Sequence, residues 1–191
     1  GRTDLIREGV LVGLLSNSYE TERLLRDPRG KEKLGTDPRR GRKALVPRNG
    51  FRRGTGGGRH FDRPPGIAGT NVVLEGKRPL SARQLLRLVG DGLYIGRTWY
   101  TYPINGLAAG DFTCTVIADS FLIRDGRLAG PLKPNTVRIN DNIQRVLKSI
   151  AGVGQERKGT FAWGADEVVY APDVVVEGVR ITEIAEFTEQ L

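Results

Sequence analysis

The sequence predicts an α+β fold, with a largely antiparallel sheet or a barrel-like arrangement and about three helices. Short β-branched and aromatic segments outnumber the segments with helical periodicity, and several of them are joined by turn sequences. The clearest turn is Arg124-Asp125-Gly126-Arg127, because Asp-Gly suits a two-residue hairpin loop. A chain of 191 residues is long enough for one ordinary domain or two small ones, and we expect residues 1–191 to form a single domain.

Composition narrows the classes of protein before any element is assigned. Hydrophobic residues make up 38% and charged residues 27%, which is typical of a globular chain. One cysteine excludes an internal disulfide framework and suits a reducing cytoplasm. One histidine and one cysteine leave too few ligands for most zinc sites. No apolar run approaches the roughly 20 residues of a membrane helix, so we expect no contact with a membrane.

The first elements follow from local signals. Residues 5–15 predict a hairpin that turns at Arg7-Glu8-Gly9, where glycine permits a positive φ. A helix is predicted from about Ser18 to Arg26, with Asn17 as its N-cap. After a basic segment, Asn71–Leu74 is predicted to be a strand.

The middle of the chain predicts one well-marked helix followed by strands. Ser81 and Gln84 have the spacing of a capping box before an apolar face that ends at Gly90. Leu93–Tyr102 is rich in β-branched and aromatic residues and is predicted to be one strand. Further strands are predicted at Asp111–Ala118, Phe121–Ile123 and Val137–Ile139.

The longest helical periodicity comes next. Asn140 or Asp141 is the expected N-cap of a helix whose apolar face continues to about Val153. The remaining segments are predicted to be strands separated by turns at Ala171-Pro172-Asp173 and Glu177-Gly178. These strands are Val168–Tyr170, Val174–Val176 and Val179–Ile184.

The net charge of +8 lies in the first third of the chain. Residues 1–65 hold 16 Lys and Arg against 8 Asp and Glu, whereas the rest of the chain is neutral. A Gly- and Arg-rich loop is predicted at about 27–65, exposed or partly disordered. The cations of this segment could contact a polyanion such as nucleic acid, or the segment could be a mobile surface loop or be ordered by a partner subunit. Nucleic acid is the less favoured partner, because no recognised nucleic-acid-binding module surrounds the segment. The candidate contact residues are Arg39, Arg40, Arg42, Lys43, Arg52 and Arg53.

The side chains do not form a catalytic constellation that the sequence alone reveals, so we predict no catalytic and no metal-binding residue. His60 lies in the basic segment, and Cys114 lies in a predicted strand, where a buried thiol is the favoured interpretation. Nothing in the sequence supports a Cys114–His60 pair. Trp99, Tyr100 and Tyr102 form an aromatic cluster that is either half core and half surface or the wall of a peptide groove.

A series of short motifs, taken in order, resembles the C-terminal domain of the TldD/PmbA family, whose members are also called modulators of DNA gyrase. The resemblance covers nearly the whole chain, and the order and spacing of the motifs carry it. The motifs are Arg53-Gly54-Thr55-Gly56-Gly57, Pro64-Pro65, Thr70-Asn71, Gly90-Asp91-Gly92-Leu93-Tyr94, Gly110-Asp111-Phe112-Thr113, Leu122-Ile123-Arg124-Asp125-Gly126-Arg127, Pro131-Leu132-Lys133-Pro134, Asn142, Lys148-Ser149-Ile150 and Gly152-Val153-Gly154.

The resemblance implies a zinc-dependent peptidase system of the cytoplasm. Its catalytic type carries a His-Glu-x-x-x-His helix in an N-terminal domain and a Cys ligand near the C-terminus. Neither is present here, and the expected Cys position falls near residues 159–162, which contain none. The chain therefore looks like the PmbA (TldE) type, a non-catalytic subunit without its N-terminal domain.

Cofactor and partners are likewise implied by the resemblance. Zinc is expected in the catalytic partner subunit and not in this chain. The expected partners are a TldD-like zinc-binding subunit or a second copy in a homodimer, together with unfolded peptide substrates. Two alternatives stay open: a catalytic subunit whose motif lies in a missing N-terminal half, and a nucleic-acid- or gyrase-binding module that uses the basic loop.

Overall fold

The computed structural model describes residues 2–52, 54, 60–69, 71–161 and 168–184. The chain divides into two compact units, residues 1–72 and residues 73–191. The described residues form five helices and thirteen strands, and every strand pair within the sheets is antiparallel. The predicted α+β class is confirmed, and none of the described sheets closes into a ring of strands.

The first unit contains two small hairpin sheets and three helices. The predicted helix is confirmed with its predicted bounds, and the side-chain oxygen of Asn17 accepts a hydrogen bond from the Glu20 N–H at 2.8 Å. The predicted hairpin near the start is confirmed as the pair β1 and β2. In order, the elements are β1 (Ile6–Arg7), β2 (Val10–Leu11), α1 (Ser18–Arg26), α2 (Gly30–Leu34), α3 (Pro38–Gly41), β3 (Gly50–Phe51) and β4 (Gly66–Ile67).

The segment predicted as a basic loop carries more structure than its composition suggests. Helices α2 and α3 both lie within residues 27–65. Gly35 ends α2 at a φ of 66°, and the Asp37 side chain accepts from the Arg39 N–H to cap α3. Leu45, which follows α3, is only 3% exposed and anchors this part of the chain in the core of the first unit. Local capping and this one apolar anchor therefore order a segment that is otherwise strongly charged.

Buried polar groups hold the first unit together. The hydroxyl groups of Ser16 and Thr21 lie 2.6 Å apart, and the Thr21 hydroxyl donates to the Leu45 carbonyl at 2.9 Å. The Asn17 side-chain amide donates to the Pro65 carbonyl at 2.9 Å. Each polar group is satisfied by another, which offsets the loss of its contacts with water.

The second unit contains the larger sheets. The strand order in the four-stranded sheet is β13-β10-β7-β6, and the three-stranded sheet has the order β5-β8-β9. A long two-stranded ribbon pairs β11 with β12. In order, the elements are α4 (Ala82–Val89), β5 (Gly92–Tyr94), β6 (Thr98–Ile104), β7 (Asp111–Val116), β8 (Phe121–Arg124), β9 (Arg127–Pro131), β10 (Val137–Asn142), α5 (Ile143–Lys148), β11 (Ile150–Phe161), β12 (Val168–Val176) and β13 (Ile181–Glu183).

Two local predictions in this unit are confirmed. Ser81 and Gln84 form the full capping box at the start of α4. Arg124 pairs with Arg127 across the predicted hairpin, and both turn residues between them have positive φ. The Asp125 N–H donates to the Asp91 carboxylate at 3.1 Å, which ties this turn to the end of α4.

The prediction of one strand over Leu93–Tyr102 is wrong, because β5 and β6 belong to different sheets. The break falls at Gly96, whose N–H donates to the Ser120 hydroxyl at 3.1 Å. A Cβ on Gly96 would lie 2.0 Å from the Asp119 carbonyl oxygen. This approach, which only glycine permits, turns the chain from one sheet to the other.

Gly96→Ala should therefore destabilise the second unit by about 1–3 kcal/mol, the usual effect of forcing an atom into a filled site. Gly130→Ala is the matched control, since a Cβ there has no atom within 4 Å. Chemical denaturation of both variants measures the difference. Equal stability of the two variants would contradict this account of the break between the sheets.

The prediction of a helix that continues to about Val153 is also wrong, both in the length of the helix and in its N-cap. Helix α5 ends at Lys148, its N-cap is Asn142 instead of Asn140 or Asp141, and Ile150 begins a strand. Val153 lies in this strand, and its carbonyl accepts a hydrogen bond from the N–H of the distant Leu80 at 2.9 Å. Pairing with distant segments thus overrides the local helical periodicity.

Smaller departures concern the ends of strands. Residues 71–74 form no strand. Strand β12 runs unbroken through Pro172, where a turn was predicted; a ribbon of two strands tolerates proline on its open side. Strand β7 ends at Val116 and β13 covers Ile181–Glu183, so both are shorter than predicted.

Among the helices that the structure describes, none has the length and apolar character to cross a membrane.

Candidate functional site

The predicted aromatic cluster lies on the outer strand of the four-stranded sheet. Strand β6 has β7 as its one strand neighbour among the described residues. Trp99, Tyr100 and Tyr102 are 43%, 69% and 53% exposed. All three aromatic groups are therefore accessible at a sheet edge, as the wall of a groove requires.

A β-bulge rearranges the faces of this edge strand. Trp99 pairs with Thr115 and Tyr102 pairs with Thr113, so two residues of β6 oppose the single Cys114 of β7. Tyr100, the first of these two residues, has a φ of 51°, in the region that favours glycine. Directly paired residues share a face, so the bulge brings Trp99 and Tyr102 to the same side of the sheet.

Polar side chains continue this face across three further strands. The Thr113 hydroxyl donates to the side-chain oxygen of Asn140 at 2.6 Å, and the Asn140 amide lies 3.5 Å from the Thr182 hydroxyl. Thr115 and Arg138 pair on the same side. We call Trp99 and Tyr102, with the polar residues Thr113, Thr115, Arg138, Asn140 and Thr182, the polar–aromatic face.

The opposite side of the same strands carries buried apolar residues together with the buried carboxylate of Asp141. Cys114 and Val116 are 4% and 0% exposed, and Ile139 pairs with Cys114. The polar residues of the polar–aromatic face were not predicted from the sequence. The alternation of β7, with Thr113 and Thr115 between apolar residues, was the available signal.

A buried charge fixes the strand that crosses the middle of this sheet. The Asp141 carboxylate accepts from Arg145 Nε at 2.7 Å, from Arg145 Nη2, and from the Arg180 N–H at 2.8 Å. Arg145 Nη1 also donates to the Gly178 carbonyl at 2.7 Å. This network, also missed from the sequence, ties β10 and α5 to the segment that leads into β13.

Several residues of the family motifs named above are joined by hydrogen bonds where β7 begins and β10 ends. The Asn142 amide donates to the Ala109 carbonyl at 2.8 Å and to the Asp111 carboxylate at 2.9 Å, and its oxygen caps α5. Hydrogen bonds from Asn142 and Asn105 lower the pKa of Asp111. These residues have a structural role, since they join the start of β7 to the end of β10.

The donor set for zinc, the metal that the resemblance implies, does not fit the described residues. Cys114 is buried, and burial raises the pKa of its thiol despite hydrogen bonds from Thr101 and Thr98. Zinc needs the thiolate form. Within the described ranges, no three His, Cys, Asp or Glu side chains are grouped to hold a metal ion. His60 lies in the first unit, at a φ of 41°.

The basic residues predicted to contact a polyanion or a partner subunit differ in their surroundings. Arg39, Arg40, Arg42 and Lys43 are exposed on and after α3 and have no carboxylate partner among the described residues. Arg52 instead donates to the carbonyl oxygens of Phe61 at 3.1 Å and Arg63 at 2.6 Å, so it braces the chain around it. Arg53 lies outside the described residues.

Known proteins resemble this chain in sequence pattern and in fold. A sequence model of the family described as PmbA/TldA metallopeptidase C-terminal domain matches residues 1–183. The crystal structure of TldE from Thermococcus kodakarensis is 20% identical with a TM-score of 0.54, over 81% of this chain and 30% of that one. That likeness supports the fold.

A second crystal structure comes from Thermotoga maritima. It is of a protein named as a candidate modulator of a DNA gyrase, and it is 20% identical with a TM-score of 0.49, over 82% of this chain and 29% of that one. The present chain thus spans about 30% of the length of these relatives. No curated protein sequence matches it.

Proposed function

The chain belongs to the PmbA/TldA metallopeptidase C-terminal domain family, and from this premise we propose that it is the C-terminal part of a non-catalytic partner subunit. In this proposal a TldD-like subunit holds zinc and cleaves the peptide. The present chain contributes to the assembly and to the path of the substrate. We further propose that the assembly is a dimer in the cytoplasm, where one unpaired cysteine stays reduced.

The placement of the single cysteine is the observation that carries the partner assignment. A catalytic zinc site needs three protein ligands and an open position for water. Cys114 lies in the middle of β7, on the buried face of the sheet, and not near residues 159–162. A raised thiol pKa makes this residue a poor source of thiolate.

The polar–aromatic face supports the peptide part of the proposal. An extended peptide can add a strand to an exposed sheet edge, with backbone hydrogen bonds giving affinity for many sequences. Strand β6 offers such an edge, and Trp99 and Tyr102 offer apolar contacts beside it. Pro103 lacks an N–H and the bulge interrupts the ladder, so the pairing would be short.

Native co-purification tests the partner assignment. The full-length parent protein is tagged in its own cell, purified gently, and its partners are identified by mass spectrometry while zinc is assayed in each subunit. We expect a stoichiometric partner that carries His-Glu-x-x-x-His and the zinc. A zinc-bearing homo-oligomer without such a partner would contradict the proposal and favour a catalytic motif elsewhere in the parent protein.

A further inference from the structure

The first unit contains a cleft of about 360 Å³ between the β1–β2 hairpin and residues 43–48. Four cationic side chains line it: Arg2, Arg7, Lys43 and Arg48. Asp4 is the one carboxylate among the lining residues. The cleft therefore has an excess of positive charge, and of these cations only Lys43 was singled out from the sequence.

The arginines of the cleft are exposed to solvent and are oriented by hydrogen bonds from their guanidinium groups. The Asp4 carboxylate accepts from Arg2 Nε at 2.8 Å and from Arg7 Nη2 at 2.6 Å. Arg48 Nη1 donates to the Arg2 carbonyl at 2.8 Å. These contacts bring the three guanidinium groups to the same cleft.

The backbone around the cleft is equally constrained. A Cβ on Gly13 would lie 2.3 Å from the Asp4 carbonyl oxygen, so the chain after β2 passes directly against Asp4. The Leu14 N–H donates to the Ala44 carbonyl at 3.0 Å and joins the two walls. Lys43, at the start of the second wall, has no carboxylate partner among the described residues.

From this arrangement we propose that the cleft binds a small ligand through an oxyanion group, a phosphate or a carboxylate. A guanidinium fork matches such groups with two parallel N–H···O bonds, and a lysine ammonium adds a point charge. The volume falls in the range of small-molecule sites, about 300–1,000 Å³. None of the described residues that line it is aromatic, so it offers no platform for stacked bases of a single-stranded nucleic acid.

Titration of the full chain tests this inference independently of the proposed peptidase role. Inorganic pyrophosphate and citrate are added separately at constant ionic strength, and binding is followed by calorimetry and by the amide NMR signals of the cleft walls. We expect saturable binding at one site per chain. Tighter binding of pyrophosphate would identify a phosphate site, and tighter binding of citrate a carboxylate site.

Matched variants localise the binding. Lys43→Gln should weaken it by about tenfold, the usual effect of removing one charge-assisted hydrogen bond. Arg48→Lys keeps the charge but loses the planar fork, so it should weaken binding several-fold. Lys31→Gln removes the same charge from an exposed residue of α2 that does not line the cleft, and should change the affinity less than twofold.

Three results would overturn the inference. The first is the absence of saturable binding of either anion. The second is an equal loss with Lys31→Gln and Lys43→Gln, which would indicate diffuse attraction to a basic surface. The third is much tighter binding of a single-stranded DNA oligonucleotide, with no dependence on Lys43, which would indicate a nucleic-acid surface.

Discussion

Asp141→Ala is expected to lower the free energy of unfolding of the second unit by about 1.5–3 kcal/mol, because it removes the buried carboxylate that accepts several charge-assisted hydrogen bonds. The Asp141 side chain is completely buried, and its removal leaves the partly exposed Arg145 with only the Gly178 carbonyl of the acceptors described above. The N–H groups of Arg180 and Asn142 also lose theirs. Urea denaturation measures the change.

The same carboxylate makes stability depend on pH. Burial alone raises the pKa of Asp141, but hydrogen bonds from Arg145 and from the N–H groups of Arg180 and Asn142 outweigh it and lower the pKa from 3.8 to about 2. Since the folded pKa lies below the unfolded one, the stabilisation is complete above about pH 4. It is lost as the pH falls toward 2, a change of about 2 kcal/mol.

Two variants separate this effect from general acid unfolding. Asp141→Asn cannot ionise, so its stability should fall less than that of the natural chain between pH 4 and pH 2. Asp173→Ala removes a partly exposed ion pair with Lys158 and should change stability by less than about 1 kcal/mol. The role given to Asp141 is wrong if Asp141→Asn keeps the full pH dependence or if Asp173→Ala is equally destabilising.

The double substitution of Trp99 and Tyr102 by Ala is expected to weaken peptide binding by at least about tenfold, since buried aromatic anchors are the usual hot spots of an interface. The measurement is the affinity of the assembled parent complex for an unfolded peptide. Both side chains are also about half buried, so urea denaturation of the double variant accompanies the binding assay. Loss of peptide binding without loss of stability would identify the edge as a binding surface.

Two controls sharpen this experiment. Tyr170→Ala removes an aromatic group that is 60% exposed on β12 of the same unit, and should leave the affinity within about twofold. A peptide with N-methylated backbone amides cannot pair with a strand and should bind poorly. Unchanged affinity of the double variant would exclude the polar–aromatic face as the peptide site.

Local chemistry made parts of the fold predictable from the sequence. The caps at Asn17 and Ser81 and the hairpin at Asp125-Gly126 depend on residues within a few positions of each other. The buried position of Cys114 followed from its place in a predicted strand, where a free cysteine behaves as a small hydrophobic residue. Composition could not reveal α2 and α3, because a glycine, an Asp cap and one buried leucine order that segment.

Long-range pairing accounts for what the sequence did not reveal. Ile150 and Val153 fit a helical face, yet they pair with Val176 and Val174 in a ribbon. The aromatic residues of the candidate site were found from composition, but their common face depends on a bulge opposite Cys114. The alternation of β7 indicates which of its residues share a face, but the partners from β10 and β13 depend on pairing between strands that are distant in the sequence.

Reconstitution of peptidase activity tests the central claim most directly. The full-length parent protein and the TldD-like partner that we propose for it are purified separately, supplied with zinc, and assayed for cleavage of an unfolded peptide alone and after mixing. We expect no cleavage by the parent protein alone and cleavage after mixing, with a turnover that falls when Trp99 and Tyr102 are replaced. Cleavage by the parent protein alone, or partner activity that is the same with and without it, would contradict a non-catalytic role in guiding the substrate.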